Sequence, residues 1–347
     1  MAVLDNIVSV QISISQAAAE SNVFEKMLIL GTAPASVSAT AADFDYYASL
    51  ADVLSAGWVA TEDVYKAASI AFANGANGIY IALYDDETGT NLTNLLNDCM
   101  NEGGWYGLVT VGVASTAYGT IATWCDTNHK LFGYSVVDNG TLAPAGNTSL
   151  YTFGIAYDST GANNEFIHVA YMAKCFTYTP GTETWAYKTL SGITAASYTP
   201  AQVSAFKAAH VNCYAIVAGR SVTIDGETVS GEWIDIMRYC DYLASTIQAA
   251  VFKNLSGQNK VPYNAAGIAA VESVIRNVLS QGQSNGSIED EAYDDDGNVI
   301  PGFTVTVPSM ASISAATRQT RVLSGVKFSA RLTGAVHVVE IVGTLTE

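Results

Sequence analysis

The residues best suited to chemistry crowd into EDEAYDDDGN, residues 289–298. Asp294, Asp296 and Asn298 take the first, third and fifth positions of a calcium-binding loop, where side-chain oxygens wrap a hard cation. The rest of such a loop is missing. Gly297 falls at position four instead of six, and the twelfth position is Val305, where a bidentate Glu is required. The competing reading is an exposed hairpin that turns on Asp296-Gly297.

Other reactive side chains are scattered. The four histidines, His129, His168, His210 and His337, lie in separate segments without metal-ligand spacing. His168 and His337 fall inside predicted strands and read as structural. The five cysteines (Cys99, Cys125, Cys175, Cys213 and Cys240) are odd in number and widely spaced. They read as reduced, buried core residues of a chain made in a cytoplasm. The glycine clusters at Gly75–Gly78 and Gly103–Gly107 lack the strand-to-helix setting of a phosphate loop. No Gly-x-Ser-x-Gly elbow is present. The sequence thus offers no catalytic residue, no cofactor site and no metal site. An α/β hydrolytic enzyme built on a carboxylate pair stays open as an alternative, since 19 tyrosines could supply platforms for a polysaccharide.

Composition narrows the partners. The chain has 347 residues, 49% of them hydrophobic, which is enough for a large core. Charged residues make up only 14%, against about 25% in an average domain, and such a surface suits burial by other protein. A net charge of −17 argues against nucleic-acid and anionic-membrane surfaces. The charge is uneven. Up to Ala170 there are seventeen acidic residues and three basic ones, whereas Gly297 to Val339 holds Arg318, Arg321, Lys327 and Arg331 with no acid. No basic start followed by an apolar run suggests a signal peptide, and no apolar stretch approaches the roughly 18 residues of a spanning helix.

The elements that must position these residues alternate. Apolar strands are expected at MLILGTAP (27–34), GIYIALYD (78–85), WYGLVTVGV (105–113) and KLFGYSVV (130–137). Between them come a helix capped by Thr61, a short one around Leu92, and one from Thr116 to Cys125. This pattern predicts an α/β layer with mainly parallel pairing. Loops are expected over 139–164, a strand at FIHVAYMA (166–173), a Pro-started helix at Thr199-Pro200, and a strand at 213–219 followed by an Asp225-Gly226 hairpin. Long helices follow in GEWIDIMRYCDYLASTIQAAVFKNL and from Asn264 to Gln281, then a strand at 303–307. VKFSARL and VHVVEIVGTL, joined by Thr333-Gly334, predict a C-terminal hairpin.

Both ends are strand-like. In IVSVQISISQ, Val8, Val10, Ile12 and Ile14 share one face and polar residues the other. VHVVEIVGTL is apolar on both faces, through Val336, Val338, Val339, Ile341 and Leu345. Exposed apolar edges are aggregation hazards, so such strands either tuck into the parent sheet or pair with a neighbour.

From about Ala186 onward the chain resembles the contractile tail sheath proteins of phages and phage-tail-like (R-type) bacteriocins. The resemblance rests on AYKTLSGIT (186–194), SGEWIDIMRYCDYL (230–243) with its Trp and Arg-x-x-Asp, and KVPYNAAGIAAVESVIRNVL (260–279). The closing run from Thr304 to Leu345, and the early MLILGTAP, also fit. The segment 139–180 carries little of it. The resemblance implies a mixed α/β sheet-and-helix core with strand arms at both ends. Its parts would be 1–20 (N-terminal arm), 21–138 (first core part), 139–180 (loop-rich, with a small insertion), 181–320 (second core part) and 321–347 (C-terminal arm).

As function it implies a non-enzymatic structural subunit. Such a subunit polymerises as a helical cylinder around an inner tail tube and contracts to drive the tube through a cell envelope. Implied partners are further copies of the chain, the tube protein, and baseplate and tail terminator proteins, with no direct nucleic acid and no membrane insertion. Assembly would take place in a bacterial cytoplasm, as part of a released particle. Residues 7–15 and about 326–345 would be lent to neighbouring sheets. Arg318, Arg321, Lys327 and Arg331 would face the tube or a neighbour, or else balance the chain's own acidic segment. Another self-assembling wall or tube protein is the alternative of the same kind.

Overall fold

The computed structural model describes residues 23–32, 44–84, 91–137, 148–293 and 296–339. Val8, Val10, Ile12, Ile14, Ile341 and Leu345 lie outside them. The chain first builds β1 (Met27–Gly31), β2 (Phe44–Tyr47), α1 (Leu50–Ser55), α2 (Asp63–Ala73), β3 (Ile79–Leu83) and α3 (Leu92–Glu102). Next come β4 (Gly107–Val111), α4 (Tyr118–Asn128), β5 (Leu131–Val137), β6 (Thr152–Tyr157), α5 (Ile167–Phe176), α6 (Pro200–Ala208), β7 (Val211–Val217) and β8 (Arg220–Ile224). These eight strands form one sheet in the order β2-β3-β1-β4-β5-β6-β7-β8. The six inner strands pair in parallel, and β2 and β8 close the edges antiparallel.

The expected parallel α/β layer is therefore present, and its composition explains why. Met27 and Ile29 of β1 face one apolar cluster with α2 and α5, while Leu28 and Leu30 face another with α3 and α4. A strand covered on both faces needs apolar residues throughout. The last part of the chain forms a smaller module from α7 (Ile234–Ser256), α8 (Ala265–Ser284), β9 (Glu291–Tyr293), β10 (Val299–Pro301), β11 (Phe303–Thr306), α9 (Ala315–Gln319) and β12 (Lys327–Ala330). Tyr239, Leu243, Ile247, Val271, Ile275 and Leu279 join α7 to α8 in a cluster of their own.

Five sequence expectations are corrected. FIHVAYMA is not a strand but the helix α5, in which nine of ten residues are buried. An apolar run buried on all sides gives no period by which to choose. The expected loop over 139–164 holds β6, an inner strand of the sheet. Its Gly154 packs so tightly that a Cβ there would lie 2.8 Å from Tyr134 Oη. The hairpin turn lies at Ala218-Gly219, both at positive φ, and not at Asp225-Gly226. Helix α2 is capped at Glu62 instead of Thr61. Finally, β12 pairs antiparallel with β11, and Val336 to Val339, expected to pair with it, form no strand; the rest of VHVVEIVGTL lies outside the described residues. Within and just after the acidic stretch, Glu291–Tyr293 and Val299–Pro301 pair antiparallel as β9 and β10, with Gly297 at φ 81°; Asp294 lies outside the described residues.

Candidate assembly surfaces

Helix α7 is the beam between the two parts. Its 23 residues reach about 34 Å at 1.5 Å per residue. Ile234 and Met237 sit in the clusters on either side of the main sheet, and Tyr239 onward builds the module. The Arg-x-x-Asp of the sequence lies here, on residues three apart that share a helix face. Arg238 is fully buried. Its guanidinium pairs with Glu183 and donates to Phe24 O (3.0 Å), Tyr178 O (3.1 Å) and Cys175 O (3.4 Å). It also stacks 4.8 Å from the Phe176 ring centroid.

Asp241, equally enclosed, accepts from Tyr106 Oη at 2.8 Å and Tyr151 Oη at 3.0 Å. His129 Nδ1 stands 3.5 Å from the same carboxylate and 2.6 Å from Tyr151 Oη. Burial pushes the Asp241 carboxyl above its ordinary range, and the His129 and tyrosine contacts pull it back. An Asp, a His and two Tyr together would suit proton transfer. With His129 and Asp241 side chains each 3% exposed, they instead serve as a lock between α7 and the sheet. Lys130, donating to Trp105 O at 2.5 Å, is shifted the other way, lowered by burial to about 8.

A cleft of about 280 Å³ opens where the body meets the module. Glu183, Thr184, Asp235, Tyr239, Ser287 and Thr333 are among its lining residues. Burial pushes Asp235 up to about 6, against the hydrogen bond that it accepts from Ile236 N. Among the described residues, no group of three or more His, Cys, Asp or Glu is placed to hold a metal ion. No described helix is long and apolar enough to cross a membrane.

The β11–β12 sheet of the module has unequal edges. Arg331 N–H bonds to Gly302 O at 2.8 Å. The alternation of an antiparallel ladder then turns Phe303 and Val305 outward on β11, and Phe328 and Ala330 outward on β12. On the β11 side, Val305 O accepts from Arg276 of α8 at 3.0 Å. On the β12 side, no described group bonds to the backbone of Phe328 or Ala330. Close by in sequence, Val336, Val338 and Val339 are 76%, 74% and 70% exposed.

The remaining sequence candidates separate. Arg318, Arg321, Lys327 and Arg331 are all exposed, and no ion pair among the described residues includes them. His168 is a buried helix residue whose Nε2 lies 2.9 Å from Thr110 O, and burial lowers it to about 4. The Arg238 and Asp241 locks went unrecognised as such, although their spacing was visible in the sequence.

Residues 234–345 match the family of E217 tail sheath protein gp31-like C-terminal domains. A chain of the anti-feeding prophage (AFP) baseplate shares the fold, with 14% identity, 98% of each chain covered and a TM-score of 0.71. A chain of the AFP helical sheath in its contracted state follows, with 13% identity, 97% of each chain covered and a TM-score of 0.70. The sheath complex of the extracellular contractile injection system PVC, also contracted, gives 12% identity, coverage of 97% and 96%, and a TM-score of 0.69. No curated protein matches the sequence. Along nearly the whole chain the fold is similar to that of the AFP and PVC sheath chains, and the C-terminal third matches a tail sheath family model.

Proposed function

We infer that this chain is the structural subunit of a contractile sheath, polymerising as a helical cylinder around an inner tube and shortening to drive that tube through an envelope. The observation that carries this reading is the bare outer edge of β12 beside the exposed apolar run Val336, Val338 and Val339. One is a strand acceptor and the other a strand donor, and within the described residues neither meets its complement. In a cylinder each subunit lends the segment after β12, and the N-terminal strand with Val8, Val10, Ile12 and Ile14, to sheets of its neighbours. Each backbone bond of such a joint adds about 0.5–1.5 kcal/mol net. Each buried Val or Ile adds about 1.5–3 kcal/mol. Joints of this kind hold while the α/β bodies turn as rigid units.

The exposed cations Arg318, Arg321, Lys327 and Arg331 face the tube or an acidic patch of the next subunit. Solvent-screened charges suit a contact that must let go during contraction. Tube, baseplate and terminator proteins complete the assembly, which is built in the bacterial cytoplasm and released as part of a tail or tail-like particle.

The test is electron microscopy of the purified chain, intact and lacking residues 1–16. The intact chain should form hollow striated cylinders, and the truncated one should stay folded and unpolymerised. Full cylinders from the truncated chain would remove the N-terminal arm from the joint. A monomer at every concentration, even with tubes present, would overturn the sheath reading.

A further inference from the structure

Beyond Thr333, which donates to Ser287 O at 3.1 Å, the described part of the terminal segment is held to its own subunit through His337. His337 is half-buried, whereas Val336, Val338 and Val339 around it are exposed. Its ring meets Trp233 edge-on at 4.7 Å and Tyr187 at 5.9 Å, and its Nε2 lies 2.8 Å from Thr184 Oγ1. The Tyr187 hydroxyl donates to His337 O.

Tyr187 is the unusual partner. Its φ is 61°, in the left-handed region that a bulky side chain rarely enters. The conformation is fixed from both sides. Tyr187 N–H donates to Thr223 O at 2.8 Å, Lys188 N–H to Thr223 Oγ1 at 2.9 Å, and Thr223 N–H to Lys188 O at 2.9 Å. Backbone strain survives only where its surroundings over-determine it, and here it aims a hydroxyl at the tail. Trp233 is the N-cap residue of α7, so the notch also touches the beam between body and module.

We propose that His337 is a latch: the notch of Thr184, Tyr187 and Trp233 grips it and fixes the point where the C-terminal arm leaves its parent subunit. The proposal rests on the sheath reading for what the arm does, but not for the grip itself. A tethered arm searches a smaller volume and leaves in one direction, which raises its effective concentration at a neighbour's open edge. Release of His337 would let the arm lengthen from its root.

The test is hydrogen–deuterium exchange of the peptide spanning residues 333–339 in the full-length chain, comparing wild type, Tyr187→Phe and His337→Ala. Tyr187→Phe removes one hydroxyl and keeps the ring, and exchange should quicken about fivefold. His337→Ala should quicken it at least tenfold, with exchange in α7 and α8 unchanged. His337→Ala should also lower the yield of ordered cylinders. Equal exchange in all three chains overturns the latch. Faster exchange in both variants, with a wild type that never forms cylinders, keeps the latch and sinks the sheath reading. Cylinders with unchanged exchange do the reverse.

Discussion

The α/β body and the C-terminal module treat their strand edges and their cations in opposite ways. At β8 the outer edge is closed: Tyr187 and Lys188 bond to Thr223, and Thr189 Oγ1 donates to Ser221 O at 3.0 Å. At β12 no described group bonds to the outer edge. Arg238, at the root of the beam, is sealed inside the protein with four acceptors and a ring around it, Glu183 among them. Arg318, Arg321, Lys327 and Arg331 lie in the open. Among the described residues the β8 edge is satisfied within the chain and the β12 edge is not, and we propose that neighbours complete the latter. A polymer that changes shape needs both: units stiff enough to transmit force and joints made after folding.

Breaking the body should give the largest effect. Arg238→Met strands the Glu183 carboxylate in the core and should lower stability by about 3–5 kcal/mol. Chemical denaturation of the unpolymerised chain measures this, and a loss under 1 kcal/mol would show that the pair does not lock the beam. Next comes Asp235, at the cleft between the two parts. Burial raises it to about 6, so the folded chain holds this proton more tightly than the unfolded one. The resulting stability is full below about pH 4 and is lost as pH rises through 6. Its size is on the order of 2 kcal/mol. Asp235→Asn should remove that share of the pH dependence between 4 and 7.5, and parallel profiles would refute the assignment.

In the module the balance between stability and assembly should invert. Ala330→Pro deletes an outward N–H where an edge strand tolerates proline, so monomer stability should fall by only about 1 kcal/mol. Cylinders should nevertheless disappear, and normal cylinders would clear the β12 edge of any role in the joint. The smallest effect on folding should come from Arg318→Glu with Arg321→Glu, within about 0.5 kcal/mol. Co-assembly with tubes should weaken, more so at low salt, and unchanged assembly at every salt concentration would take both residues out of the interface.

How much of this the sequence disclosed depended on whether a signal was local. The inner strands β1, β3, β4 and β5 were legible because burial on both faces leaves mostly apolar residues, with Thr110 and Ser135 the polar ones. The cap Thr199 before Pro200 was legible because its chemistry spans three residues, and the structure holds the full capping box there. Helix α5 was not, since a fully buried run looks the same as helix or strand. The turn at Ala218-Gly219 was hidden by an alanine in a left-handed position. At the candidate surfaces, exposed cations and valines could be named in advance. The latch could not, because Thr184, Tyr187, Trp233 and His337 come from segments up to 153 residues apart. The pairing of β12 with β11 was not foreseen for a similar reason: the two strands lie more than twenty positions apart, while Thr333-Gly334 offered a nearby turn.

The five cysteines have a practical consequence. All are buried and unpaired, and burial raises every thiol, Cys99, Cys213 and Cys240 to about 12. At neutral pH none presents a thiolate to a reagent. The exterior is therefore silent toward maleimide dyes and spin labels. One cysteine placed on the module and one on the body would be the only two addressable points, so a distance between them could be followed while a cylinder shortens.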